Sequence, residues 1–164
     1  MPEIALRVAA GSEDIATARR LMQAYGQYLE NNPGGAANIC LGGYARELES
    51  LPAGYLCLLL AFVDGVAAGC VALRQIDREH ACEMKRLWVD STFRGLSLGR
   101  LLVDAAIAWA QREGFEAMYL DTVPAAMPEA NRLYQAMGFV PVERYNNNPL
   151  ADVVFFRLDL RKHM

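Results

Sequence analysis

Histidine, tryptophan and cysteine are scarce in this chain, with two, two and four copies in 164 residues, and none of them forms a ligand set. Cys40, Cys57, Cys70 and Cys82 contain no Cys-x-x-Cys pair and have no histidine at metal-ligand spacing, so no metal is expected. Cys57 and Cys70 fall inside apolar runs, where a free thiol acts as a small hydrophobe; this reads as reduced thiols in a cytoplasmic protein. No basic, aromatic-interleaved stretch is present, and 19 acidic residues against 16 basic ones leave a net charge of -3. Nucleic acid and anionic membrane surfaces are therefore not expected partners. The run YLCLLLAFV is too short to cross a bilayer. The opening MPEIALRVAAGSED lacks the basic and apolar regions of a secretory signal. Two phosphate-binding motifs are missing as well: no Gly-x-x-x-x-Gly-Lys-Ser/Thr loop occurs, and no Gly-x-Gly-x-x-Gly follows the first strand.

What is present is apolar, 54% of the residues, enough for one α/β domain over residues 1–164. IALRV reads as a strand. Ser12, with Glu13 and Asp14 behind it, reads as a helix cap and acidic first turn. Ile15, Ala18, Leu21, Met22, Tyr25 and Leu29 keep helical spacing up to the breaker NNPGGAAN, and YARELESL forms a short second helix ending before Pro52. Two apolar runs flank Asp64-Gly65, a hairpin signal because both residues tolerate positive φ, and ACEMKRLWVD continues the meander. A helix with Leu98, Leu101, Leu102, Ala105 and Trp109 inward ends at Gly114, and AMYLDTV follows as a parallel strand. PEANRLYQAMGF is a helix with Pro128 in its first turn, and PVERY and VVFFRLDL close the chain as strands. The predicted order is β-α-α-β-β-β-α-β-α-β-β, a mixed sheet flanked by helices.

RGLSLG, residues 94–99, stands at a strand-to-helix junction. A helix N-terminus offers unpaired N–H groups and partial positive charge, glycines admit close approach, and Arg94 can pair with an anion. On spacing alone the signal is weak, and an ordinary strand–helix turn is the favoured reading. The stretch CEMKRLWVDSTFRGLSLGRLLVDAAIAWAQREGF resembles the acetyl-CoA-binding motif of the GNAT acetyltransferases: a strand ending in Leu-x-Val, then Arg/Gln-x-x-Gly-x-Gly/Ala, then a helix. YLDTV…PEANRLYQAMGF resembles that family's second motif, and ACEMKRLWV with RYNNNP resembles a bacterial branch of it. Ser97 departs from the pattern, which usually has Gly there; if the position needs positive φ, Ser costs about 1–2 kcal/mol.

The resemblance implies a GNAT fold and acetyl-CoA as co-substrate. It implies that Leu87, Trp88 and Val89 pair with the pantetheine arm, that the N–H groups of Gly95, Leu96, Ser97, Leu98, Gly99 and Arg100 cradle the pyrophosphate beside Arg94, and that Asn131 contacts the cofactor or holds the adjacent strand. An amine would attack the thioester directly. Tyr134 matches the general acid, and its alternative is a core tyrosine on the face of Ala130, Leu133 and Met137. Glu83, eleven residues before Arg94, has the spacing of a catalytic Glu in histone-modifying members; its alternative is an ion pair with Lys85 on the same strand face. A base matters most for a lysine-like amine, whose neutral form costs about 4–5 kcal/mol at pH 7, against about 1–1.5 for an α-amino group. Tyr145, Asn146 and Asn147 would border the acceptor, with a plain polar turn as their equal alternative; Tyr25, Tyr28 and Asn31 are weaker candidates from the other side, and His80 reads as a surface turn residue. The expected activity is acetylation of a small-molecule amine, with protein N-terminal or lysine acetylation and non-catalytic acyl-CoA binding as alternatives. Homodimerisation is expected from the family's habit of pairing.

Overall fold

The computed structural model describes residues 1–31, 43–148 and 150–163. Cys40 and most of the NNPGGAAN breaker lie outside the described residues. The element order matches the predicted one: β1 (Ile4–Val8), α1 (Gly11–Glu30), α2 (Tyr44–Glu49), β2 (Cys57–Val63), β3 (Val66–Gln75), β4 (Ala81–Val89), α3 (Leu98–Arg112), β5 (Ala117–Thr122), α4 (Pro128–Ala136), β6 (Val140–Val142) and β7 (Val154–Asp159). They build a seven-stranded sheet in the order β1-β2-β3-β4-β5-β7-β6. Among the described strands only the β4–β5 pair is parallel, as the α3 crossover requires. Among the described residues no helix is long and apolar enough to cross a membrane, and no group of three or more His, Cys, Asp or Glu could hold a metal ion.

The unbroken apolar runs of β2 and β3 follow from burial on both faces. Leu58, Leu60, Cys70 and Ala72 pack with Ala18, Leu21 and Met22 of α1 and Tyr44 and Leu48 of α2. Leu59, Ala61, Val71 and Leu73 pack on the opposite face with Leu102, Val103 and Ala106 of α3 and Tyr134 of α4. Asp64 (φ 49) and Gly65 (φ 82) turn the β2–β3 hairpin as expected.

Three expectations need correction. The α1 helix starts at Gly11, and Ser12 does not cap it; its Ncap is Ala10, which has no side-chain cap. The Asp14 carboxylate instead accepts from the Ala10 N–H at 3.0 Å and is gripped by Arg7 at 2.9 and 3.3 Å, which holds its carboxyl below the usual range. The buried stripe of α3 is Leu98, Leu102, Val103, Ala106, Ile107 and Ala110, rotated from the predicted face, so Leu101, Ala105 and Trp109 are only half-buried. The strand predicted through Tyr145 stops at Val142.

The feature that positions the site is a bulge in β4. Cys70 pairs with Trp88 but Ala72 pairs with Lys85, so β4 carries one extra residue opposite Val71. Arg86 absorbs it in the left-handed region, at φ 62. Because strand side chains alternate, the extra residue switches faces: Cys82, Met84 and Leu87 share the α3 face, while Trp88 joins the α1 face. Arg86 is held by a two-pronged pair with Glu47 of α2 at 2.8 and 3.0 Å. Gly69 is needed nearby, since a Cβ there would lie 2.7 Å from the Trp88 carbonyl oxygen.

Candidate active site

The β4–β5 ladder covers only Ala81 to Glu83 against Ala117 to Tyr119. Beyond that point the two strands part, and no described strand pairs with the β5-facing edge of β4. Two clefts open along the parting. One, of about 740 Å³, is lined by Tyr25, Arg74, Arg78, Glu83, Lys85, Asp121, Tyr134, Tyr145, Asn146 and Asn147, among others. The second, of about 470 Å³, is lined by Trp88, Val89, Arg94, Gly95, Ser97, Leu98 and Gly99 from one side and by α4 from the other. Leu87 and Met127 line both clefts.

The smaller cleft ends at the N-terminus of α3. Ser97 is its Ncap, in the left-handed conformation at φ 59 and ψ 29, and its side chain makes no cap bond. The position therefore does require positive φ. The first amides of α3 have no intrahelical carbonyl to reach and face outward with the helix's positive end. Gly95 (φ 85) has open space around a Cβ, so its requirement is conformational. Gly99 differs: its backbone is ordinary helix, and an added Cβ would meet only Leu133 Cδ2 at 3.5 Å. Nothing inside the protein demands glycine there. A bare backbone lining a cleft at a helix N-terminus suits a phosphate, and the residues present fit a coenzyme A pyrophosphate. Arg94 stands at the mouth, 60% exposed, with Glu129 3.6 Å away, a loose surface pair that gives way cheaply to a phosphate. Leu96 and Arg100 do not line the cleft; Leu96 packs with Val63, Ala68 and Leu98. Asn131 lines neither cleft, is buried, and donates to Thr122 Oγ1 of β5 at 3.5 Å, which is the strand-holding alternative.

The larger cleft is built around Glu83, which is 0% exposed. Arg74, opposite it on β3, donates through Nε to Glu83 Oε1 at 2.7 Å. The Tyr145 hydroxyl donates to Oε2 through a short bond, and Asn146 Nδ2 reaches the same oxygen at 3.3 Å. Lys85 Nζ lies 3.8 Å from Glu83 and 3.7 Å from Asp121 Oδ1, so the ion pair expected between neighbours on one strand face exists but is shared. Asp121 Oδ2 accepts from Asn146 at 2.6 Å and from Asn148 at 3.3 Å. The last loop thus bridges two carboxylates from two strands. Burial and the Glu83 carboxylate push the Tyr145 phenol above its ordinary value.

Tyr134 is a core residue and a cleft residue at once. Its ring packs on Phe139 and Phe156, with centroids 5.7 and 6.5 Å away, and it lines the larger cleft. Burial is the main reason its phenol is held above the ordinary value. Tyr25 and Tyr28 pack on Trp88, with Tyr25 lining the larger cleft and Tyr28 the smaller. Asn31 caps the end of α1, exposed and outside both clefts. His80 is an exposed turn residue whose Nε2 lies 3.3 Å from Glu79. Cys57, Cys70 and Cys82 are buried free thiols, pushed up by burial to about 11, 12 and 12. Arg74, Asp121 and Asn148 were not anticipated from the sequence.

Residues 18–139 match the model of the acetyltransferase (GNAT) family. An uncharacterized N-acetyltransferase of Schizosaccharomyces pombe is 44% identical over 98 residues, which cover 60% of this chain and 60% of that protein. The N-acetylaspartate synthetase of Mus musculus is 34% identical over 83 residues, 51% of this chain and 27% of that protein. The chain spans less than two thirds of the length of these curated relatives. An acetyltransferase of the GNAT family from Staphylococcus aureus superposes with a TM-score of 0.73 at 18% identity, over 96% of this chain and 99% of that one. A Salmonella typhimurium protein assigned as an acetyltransferase, solved with its cofactor acetyl-CoA, superposes with a TM-score of 0.66 at 21% identity, over 96% and 94%.

Proposed function

From the premise that this chain belongs to the acetyltransferase (GNAT) family, we propose that it moves an acetyl group from acetyl-CoA to a primary amine of a small molecule. In this reading residues 1–164 are one catalytic domain. The observation that carries it is the meeting of the two clefts at Leu87 and Met127, which lets a thioester held in one face an amine held in the other. Bound acetyl-CoA would supply a thioester whose C–S bond breaks as the amine nitrogen forms the amide.

The open edge of β4 at Leu87, Trp88 and Val89 holds the pantetheine arm as an added strand would. Gly95, Ser97, Leu98 and Gly99, with Arg94, hold the pyrophosphate. Tyr134 donates its proton to the departing thiolate; a phenol held above its ordinary value stays protonated at neutral pH, while a thiol near 8.5 leaves. The acceptor loses its proton in the polar end of the larger cleft, with Tyr25, Tyr145, Asn146 and Asn147 around it. Glu83 is the base in the reading drawn from the family. Its oxygens already accept from Arg74, Tyr145 and Asn146, so it also fixes these donors in place. Among the described residues Asp121 Oδ1 is the less occupied carboxylate oxygen, with the Lys85 amine 3.7 Å away.

The cleft's polar lining supports a small polar amine over a basic protein tail. The relative named N-acetylaspartate synthetase supports the same class through its product, an N-acetylated amino acid. A calorimetric titration with acetyl-CoA, using desulfo-CoA and ATP as controls, tests the first half. Micromolar binding that prefers acetyl-CoA is expected, and its absence refutes the reading. Thiol release with a panel of small amines tests the second half.

A further inference from the structure

Arg74 is gripped by Glu83 through Nε alone, yet its side chain is 38% exposed in the cleft. A guanidinium carries five N–H donors in a fixed fork, so four remain on its terminal nitrogens. Among the described residues none of these four has a recorded partner. Arg78, in the turn between β3 and β4, lines the same end of the cleft. It lies over the Tyr119 ring at 5.2 Å, and its Nη1 reaches the Tyr119 hydroxyl only at 3.5 Å. No described carboxylate pairs with it.

The other cations of the cleft are committed. Arg86 is bound twice by Glu47, and Lys85 is divided between Glu83 and Asp121. Glu83 already pairs with Arg74 and lies 3.8 Å from the Lys85 amine, so its single charge is shared before a second guanidinium is counted. One end of the cleft therefore holds two planar cations with open donor forks. The other end holds Leu87 and Tyr134, where acetyl transfer would occur.

We infer that the acceptor is an amine that also carries a carboxylate, bound through that carboxylate by the Arg74 and Arg78 guanidiniums. Fork donors match carboxylate geometry, and the contact strengthens as the ligand displaces water from a concave site. A polyamine or other purely cationic acceptor would meet repulsion at the same place. Arg78 is a substrate-binding residue in this assignment, and Glu83, besides its role in acetyl transfer, aims Arg74. The inference rests on the acetyl-transfer reading.

The test uses the full chain with acetyl-CoA and follows thiol release on paired acceptors, β-alanine and glutamate against their carboxamides. Rates are compared after correction for the neutral fraction of each amine. The carboxylate members are expected to show a kcat/KM at least tenfold higher. Arg78→Ala, an exposed substitution that leaves the core intact, is expected to raise KM for them tenfold or more, with kcat within threefold and the carboxamides unaffected. Equal or better use of the carboxamides, or an equal rise of KM on both sets, overturns the carboxylate assignment while leaving acetyl transfer standing. Turnover on neither set overturns both.

Discussion

Ser97→Gly is expected to make the protein more stable. Ser97 sits at φ 59 and ψ 29, a conformation that costs an L-residue about 1–2 kcal/mol. Glycine pays almost none of that cost, but it loses about 0.5–1 kcal/mol through the greater freedom of its unfolded chain. No compensating contact is lost, because the Ser97 side chain is exposed and makes no cap bond. The difference is a gain of about 0.5–1 kcal/mol, or about 1–4 °C in Tm for a chain of this size. Urea unfolding followed by circular dichroism reads it as a higher midpoint at unchanged slope. Gly95→Ala is the mirror control: at φ 85 with open space around the Cβ, the same strain less the same entropy offset should cost about 0.5–1 kcal/mol. A lower midpoint for Ser97→Gly, with Gly95→Ala destabilising as stated, refutes the reasoning. The Ser97 hydroxyl would then hold the loop through a bond this structure does not contain.

Gly99→Ala separates the fold from the ligand. Alanine is the better helix former by about 1 kcal/mol and meets only ordinary contact with Leu133, so thermal unfolding should show stabilisation. Acetyl-CoA affinity should fall at least tenfold in the same variant, and unchanged affinity would remove Gly99 from the pyrophosphate site. Tyr134→Phe should lower turnover at least tenfold with little change in acetyl-CoA affinity; a wild-type rate would exclude it as the acid. Stability should decline on the alkaline side. The Cys70 and Cys82 thiols are held at about 12 in the fold, and the Tyr44, Tyr55, Tyr134 and Tyr145 phenols are also held high by burial. The unfolded chain releases these protons near 8.5 and 10, so their contribution is complete below those values. It is lost as pH rises toward the folded ones, at about 1.4 kcal/mol per pH unit for each deprotonating group. A urea midpoint that stays flat from pH 8.5 to 11 would contradict this.

The elements were legible because their signals are local. Asp64-Gly65 names its own turn, and Pro128 and Gly138 bracket α4 within eleven residues. Part of the site carries an equally local signal. Asp121 is a carboxylate inside the apolar strand AMYLDTV, the same anomaly that marks Glu83 in ACEMKRLWV. The pairing of Arg74 with Glu83 follows from the meander once its turn is placed, nine residues apart in antiparallel register. Tyr145 and Asn146 are different, meeting Glu83 across 62 and 63 residues of chain, a distance at which spacing carries no information.

The β4 bulge is the deeper case. Alternation alone would place Glu83, Lys85 and Leu87 on one face, with the acceptor's polar groups and the residue shared by both clefts on the same side of the sheet. The extra residue at Arg86 moves Leu87 to the α3 face while Glu83 and Lys85 keep theirs. Nothing in ACEMKRLWV announces it, since arginine gains nothing locally from a left-handed conformation. What holds it there is Glu47, 39 residues away on α2, which accepts from Arg86 Nε and Nη2. The face on which Leu87 sits, and with it a residue shared by the two clefts, therefore depends on a contact between a helix and a strand that the sequence presents as unrelated segments. That placement follows from the packing of α2, not from the motif that first draws attention to the strand.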